Sequence, residues 1–319
     1  MHPPSLLCHP FCRLLRRLLQ LCLAGWLWAA TAAWAGPALQ LPGDADGALD
    51  AWPSISMLSD PDGSLDAEGA LRRRADFQPP RGPHANLGQR RDVVWLLLPL
   101  HTVGGDGRWV LNIDFPLLNH IDVLLLRDGK PVARHRLGRA IDKAQRPMRS
   151  RAHAVELQLV PGAPHLLLLR VATQSAMLLP ITLSRPAAYH AREADAQLLQ
   201  GMLIGVALAL LTYSLAHWLS LRDPMFLGYA LVLAGLTTFF VGYFGIGQQH
   251  LWTQQTALLD QVVPLGVLAA LAGGALLAAS ALQTRRLAPR THLGLVLVSA
   301  SATVIFLAAL AGALDYRQA

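Results

Sequence analysis

LLQGMLIGVALALLTYSLAHW (Leu198–Trp218) runs for 21 residues without a charged side chain. A hydrocarbon core about 30 Å thick needs roughly 20 apolar residues in helical form, so this stretch reads as a membrane span. Three more follow: Phe226–Gly247 (22 residues), Val262–Leu282 (21 residues) and Leu293–Leu314 (22 residues). The residues after Gln197 are thereby consumed by an α-helical bundle of four spans, 198–314, with no room for a soluble core. The whole chain agrees: its 319 residues are 53% hydrophobic and only 15% charged, with a mean hydropathy of +0.36. A soluble globular chain is nearer a quarter charged. This balance excludes a disordered chain and an ordinary cytosolic enzyme.

Arginine placement orients the spans. Arg222 lies between the first and second, and Arg285, Arg286 and Arg290 lie between the third and fourth. The loop from Gln248 to Gln261 carries no Lys or Arg. Positive-inside reasoning places the first and third loops in the cytoplasm and residues 36–197 outside. Trp218, Tyr243 and Trp252 stand near span ends, where interfacial aromatics belong.

The N-terminus supports the same orientation. Arg13, Arg16 and Arg17 precede an apolar run from Leu18 to Thr31, and Ala33-Trp34-Ala35 offers a small-residue cleavage site. Residues 1–35 read as an export signal, with an uncleaved anchor as the alternative. All three cysteines (Cys8, Cys12, Cys22) fall inside it, so the mature chain would carry no disulfide, thiolate nucleophile or zinc–cysteine site. The expected location is a bacterial inner membrane, with residues 36–197 periplasmic. Of the 27 basic residues 19 fall in 36–197, against 17 of the 20 acidic ones, leaving that part only +2. No nucleic-acid partner is expected from so balanced a surface.

The exported part, 36–190, reads as all-β. Residues 36–70 form a loose lead-in with one extended piece at Ile55–Leu58, and Arg72-Arg73-Arg74 form a solvated turn. Strands are expected at Val93–Leu100, Trp109–Phe115, Ile121–Arg127, Val132–Arg136, His153–Val160, His165–Val171 and Leu178–Ser184. Asp128-Gly129 is a hairpin signal and Pro161-Gly162 a turn. No helix of useful length is expected before Arg192. Short strands at regular spacing indicate a β-sandwich or jelly roll.

Chemistry-bearing motifs are scarce. Gly104-Gly105-Asp106-Gly107 shares three residues with the Gly-Gly-Asp-Glu-Phe signature of diguanylate cyclases, but the Glu and Phe are missing. A turn between two strands accounts for it. The twelve histidines include no HExxH pair, and there is no Gly-X-Ser-X-Gly elbow and no phosphate loop. No catalytic residue, metal site or cofactor is read. Arg134, Arg136, Arg139, Lys143, Arg146, Arg149 and Arg151 crowd one stretch. Forked guanidinium groups suit a carboxylate, phosphate or acidic sugar, and a charged solvated loop is the plain alternative. In the spans, Gly201 and Gly205 form a GxxxG step, and Gly266, Ala270, Gly274 and Ala278 form a small-residue face; these signal helix packing, within the chain or equally in a dimer. Asp260 and Pro264 sit near the outer edge of the third span.

The order of parts resembles the bacterial seven-transmembrane receptors with diverse intracellular signalling modules, and the exported part resembles their second type of extracellular domain. The residues that carry the resemblance are Val94-Trp95-Leu96, Trp109-Val110-Leu111 and Ile121–Leu126 with Asp128-Gly129. Gly138, Arg146-Pro147 and His165–Arg170 continue it. In the membrane part they are Gly201, Gly205, Tyr213, Arg222–Tyr229, Gly245–Gln248 and Trp252. The resemblance implies a jelly-roll sensor, with carbohydrate among its ligands, coupled through the membrane to a cytoplasmic output. Against that pattern the chain shows four of seven spans and no output module, which reads as a fragment, a split product or a degenerate receptor.

The resulting expectation is a non-enzymatic receptor portion that binds a small periplasmic ligand, carbohydrate or anion. The candidate ligand contacts are Trp95, Trp109, Arg146, Arg149 and Arg151, with the tryptophans equally candidates for the core. Its partners would be the membrane, a second copy, or a separate cytoplasmic output protein. The competing expectation is a membrane-anchored docking protein. A transporter would need ionisable residues inside the spans, and these are nearly absent.

Overall fold

The computed structural model describes residues 37–251, apart from 81 and 83, and residues 256–311. The export-signal stretch, Trp252 and the Asp260 side chain lie outside the described residues, as do the side chains of residues 143 and 256–259. The first part is a two-layer β structure. In chain order its strands are β1 (Leu39–Pro42), β2 (Ala48–Asp50), β3 (Ser56–Asp60), β4 (Asn86–Gln89), β5 (Val93–Val103) and β6 (Arg108–Ile113). They continue as β7 (His120–Arg127), β8 (Lys130–Leu137), β9 (His153–Gln158), β10 (Pro164–Ala172), β11 (Ala176–Leu178) and β12 (Ile181–Ser184).

One sheet runs β1-β5-β10-β7-β8, with β3 sharing the edge of β5 that β1 also uses; the other runs β2-β12-β6-β9. β4 and β11 pair apart from both. The side-chain period of two places Val94, Leu96, Leu98 and Leu100 of β5 on the inner face, against Leu111 and Ile113 of β6 and Leu157 of β9. The opposite face of β5 is also covered. Val93, Trp95 and Leu97 pack beneath Ala70 of the short helix α1 (Ala67–Arg72) and beneath Phe77. A strand buried on both faces has no polar side to show, which is why Val93–Leu98 reads as an unbroken apolar run. β8 is the opposite case. It forms the sheet edge, and its charges and Pro131 guard that edge against further pairing. Asp128 and Gly129 join β7 to β8 with φ of 52° and 75°, the left-handed pair that a tight hairpin requires.

Among the described residues, four helices are long and apolar enough to cross a membrane. They are α2 (Pro186–Leu221), α3 (Pro224–Tyr243), the apolar part of α5 (Thr256–Ala281) and α7 (Pro289–Leu310). The short helices α4 (Ile246–His250) and α6 (Thr284–Leu287) lie in the connections. Leucines such as Leu198, Leu203, Leu297 and Leu307 stand exposed on α2 and α7, as lipid-facing side chains do. α3 and α5 meet backbone to backbone. A Cβ on Gly235 would lie 2.3 Å from the Ala270 nitrogen, and one on Gly266 would lie 2.6 Å from the Phe239 nitrogen. Where no hydrophobic force drives helices together, such close approach maximises dispersion contact.

Five expectations are revised. The lead-in is not loose: β1 and β2 join opposite sheets, and Leu41, Ala51, Trp52 and Ile55 enter the core. Strands of three or four residues carry no readable period, so only their partners define them. Leu178–Ser184 is two strands in different sheets, parted at Leu179-Pro180, because proline has no N–H for the ladder. Two helices precede Arg192. α1 is capped by the Asp66 carboxylate, which accepts from the Gly69 N–H at 2.6 Å, so Arg72 closes a helix instead of making a turn. α2 starts at Pro186, six residues before Arg192. The expected face on the third span holds at Gly266 and Ala270, which lie against α3, but continues through Gly273, with Gly274 touching only at 3.9 Å; the Gly201/Gly205 step has no partner among the described residues of the chain, which leaves the dimer reading of it open. Pro264 lies inside α5, well past its start.

Candidate functional site

The β structure and the helices are tied together around Arg151, at the entrance to β9. Its guanidinium is buried and bridges two elements: Nη2 lies 2.8 Å from an Asp114 carboxylate oxygen after β6, and Nε lies 3.4 Å from Glu193 Oε1 on α2. The Arg151 carbonyl faces a third. Gly245, between α3 and α4, comes so close that a Cβ there would lie 2.2 Å from that oxygen and 2.9 Å from the Pro116 ring. Gly245 has φ of +76°, a conformation that side chains resist, and it has no room for one.

Neighbouring contacts reinforce this knot. The Tyr189 hydroxyl on α2 donates to Ser150 Oγ at 2.8 Å, and burial raises the pKa of that phenol. Phe115 packs edge-on against Tyr243 of α3, with ring centroids 6.1 Å apart. Gln248 of α4 donates to the Arg139 carbonyl at 3.3 Å. At 36 residues α2 is ~54 Å long, well beyond what the hydrocarbon requires, so its first turns lie against the β structure and the rest enters the membrane. One continuous rod thus connects the Arg151 knot to the bundle.

Beside the knot His153 is almost completely buried. Burial pushes its pKa down to about 3, assisted by the positive charge of Arg146, against a hydrogen bond to the Pro116 backbone that acts the other way. The Pro116 contact alone does not offset the cost of burying an imidazolium.

The five candidate ligand residues do not converge. Trp95 is buried on the outer face of β5, where its indole N–H donates to Asp60 at 3.4 Å and the Arg170 guanidinium stands 6.0 Å from the ring. Trp109 is wholly buried between the sheets, with Arg185 at 5.9 Å from its ring. Arg146 is half-buried and reaches the Ile141 carbonyl at 3.4 Å; burial lowers its pKa against the pull of Asp142. Arg149 is exposed. Arg151 belongs to the knot.

Next to Arg146 a cavity of about 380 Å³ opens along β8, lined by Arg134, His135, Arg136, Ile141, Gln145 and Pro147. Burial holds the His135 imidazole below its ordinary pKa. The cavity can present guanidinium groups to an anion or to polyol hydroxyls. Among the described residues no three metal-ligating side chains gather.

Asp114, Glu193 and Tyr189 were not marked in the sequence, and Gly245 was marked only as part of the family resemblance. The pair Tyr189 and Glu193 is spaced i, i+4 at the polar start of an apolar helix, which is one legible signal that this turn docks on something. Asp114 has no such mark.

The domain order has a counterpart among known families. Residues 53–185 match the family model described as 7TMR-DISM extracellular 2, and residues 196–318 match the one described as 7TM diverse intracellular signalling. The chain belongs to this class of seven-transmembrane receptors, with an extracellular β domain followed by its membrane part. No curated protein matches it.

Proposed function

We propose that this chain is the non-enzymatic sensing portion of a receptor in the bacterial inner membrane. Residues 36–190 form the periplasmic sensor domain and 198–314 the membrane region. A periplasmic carbohydrate or anionic small molecule binds on the arginine-rich face around Arg146 and Arg149, and the spans relay its presence to a cytoplasmic output, through a second copy or a separate protein. The observation that carries this reading is the Arg151 knot. A domain that merely anchored a partner would need one tether, whereas here one buried arginine ties the β domain to the first span and backs onto the turn after the second. A ligand moves such an assembly only as far as its affinities for two arrangements differ.

The test is a thermal-shift screen of the full chain in lipid nanodiscs against neutral sugars, acidic sugars and peptidoglycan fragments. A ligand should raise Tm in the parent and lose that effect in Arg146→Gln/Arg149→Gln. If none of these compounds shifts Tm, the sensor reading fails. Crosslinking to a partner protein in cells would then favour docking.

A further inference from the structure

At the end of the bundle away from the β structure, a cavity of about 700 Å³ opens between α5, α6 and α7, beside the start of α3. Its lining is chemically mixed: Arg285, Arg286 and His292 supply polar groups, and Leu276, Leu295 and Val296 supply apolar ones.

The polar lining residues are held in place. The chain leaves α5 through Gln283 in a left-handed conformation (φ 47°) and enters α6 at Thr284. Thr284 is buried. Its hydroxyl contacts the Ala279 carbonyl at 3.1 Å and His292 Nδ1 at 3.0 Å, which ties α6 to both flanking helices. Arg285 and Arg286 follow on that fixed turn. Both are exposed, and neither forms an ion pair among the described residues. Asp223, the acid in the lining, is engaged as the cap of α3, accepting from the Met225 N–H at 2.8 Å. The apolar lining residues adjoin the exposed leucines and valines of α7, where Val296 is 45% exposed.

A small free anion would use only the cationic half of this cavity. A molecule with a phosphate head and hydrocarbon chains uses both halves, and a basic pocket between spans at the cytoplasmic side suits the headgroup of an anionic lipid. We infer that this cavity binds the phosphate of an anionic phospholipid through Arg285 and Arg286, with an acyl chain along Leu276, Leu295 and Val296. The inference goes beyond the sensor reading and does not depend on a periplasmic ligand.

The experiment uses the full chain, purified in neutral detergent, with phosphatidylglycerol or phosphatidylcholine added and retained lipid counted by native mass spectrometry. Phosphatidylglycerol should be retained over phosphatidylcholine. Arg285→Gln and Arg286→Gln should each weaken retention about fivefold, equivalent to ~1 kcal/mol per arginine. Arg290→Gln removes an equal charge from the same connection, outside the cavity lining, and should change retention little. Equal losses in all three variants would reduce the effect to general surface charge and overturn the site. So would equal retention of both lipids. If inorganic phosphate alone raises Tm as far as phosphatidylglycerol does, the site is one for a free anion and the lipid assignment falls. All three arginines are exposed, so their replacement leaves the fold available for measurement.

Discussion

His153 shows how position governs a residue more than its type. The ring is 2% exposed, with Nε2 buried and without a hydrogen-bond partner. Its folded-state pKa of about 3 lies below the ordinary value of 6.5. The unfolded chain therefore binds the proton more readily across that window. The sign follows: stability is intact above pH 6.5 and falls as the pH drops from 6.5 towards 3. Between pH 6.5 and 5 the loss from this group is about 2 kcal/mol. We expect the Tm of the full chain in detergent to fall over that range, and to fall less in His153→Gln. Identical pH profiles would refute the assignment. Nothing in the sequence distinguishes His153 from the exposed His120, because both begin strands; burial is a property of the neighbours that the fold brings.

The helices repeat this lesson at the next scale. Span existence was legible, since an apolar run of about 20 residues has few other physical solutions. Which faces meet was legible only in part, since Gly266 and Ala270 of the expected small-residue face do lie against α3. The GxxxG step on α2 had the conventional spacing, yet nothing lies within 4 Å of a Cβ at Gly201 or Gly205, whereas Gly235 of α3 is pressed against α5. Small residues permit close approach without specifying the partner. Gly235→Val should destabilise the bundle by about 1–3 kcal/mol, the usual cost of overpacking. Gly201→Val should leave thermal stability in detergent nearly unchanged. A reversal of that order would show that the described packing of α3 on α5 is wrong. Among the strands the same limit applies. β5 and β9 were legible from their period and length. β1, β2 and β11 were not, because three or four residues carry too little pattern to separate a strand from a turn.

At the scale of the molecule the decisive feature is the tie between parts. Arg151 and Glu193 are both nearly buried; removing Arg151 leaves Glu193 without its ion pair, and removing Glu193 leaves Arg151 with Asp114 alone. In a cycle of Arg151→Gln, Glu193→Gln and the double variant, each single change should lower stability by roughly 1–3 kcal/mol. The double change should cost clearly less than their sum. Strict additivity in thermal or denaturant unfolding would mean that the pair is not coupled. The sequence by itself determined the class of the molecule: a β domain followed by membrane helices, and the family to which that order belongs. It could do so because hydrophobic period and run length are local properties. The tertiary structure alone decided where each candidate residue stands. It buried Trp95 and Trp109 in separate layers, left Arg149 at the surface, and set Arg151 between Asp114 and Glu193. Asp114, Arg151, Glu193 and Gly245 are far apart along the chain, and only the packing of a sheet on a helix brings them within contact distance.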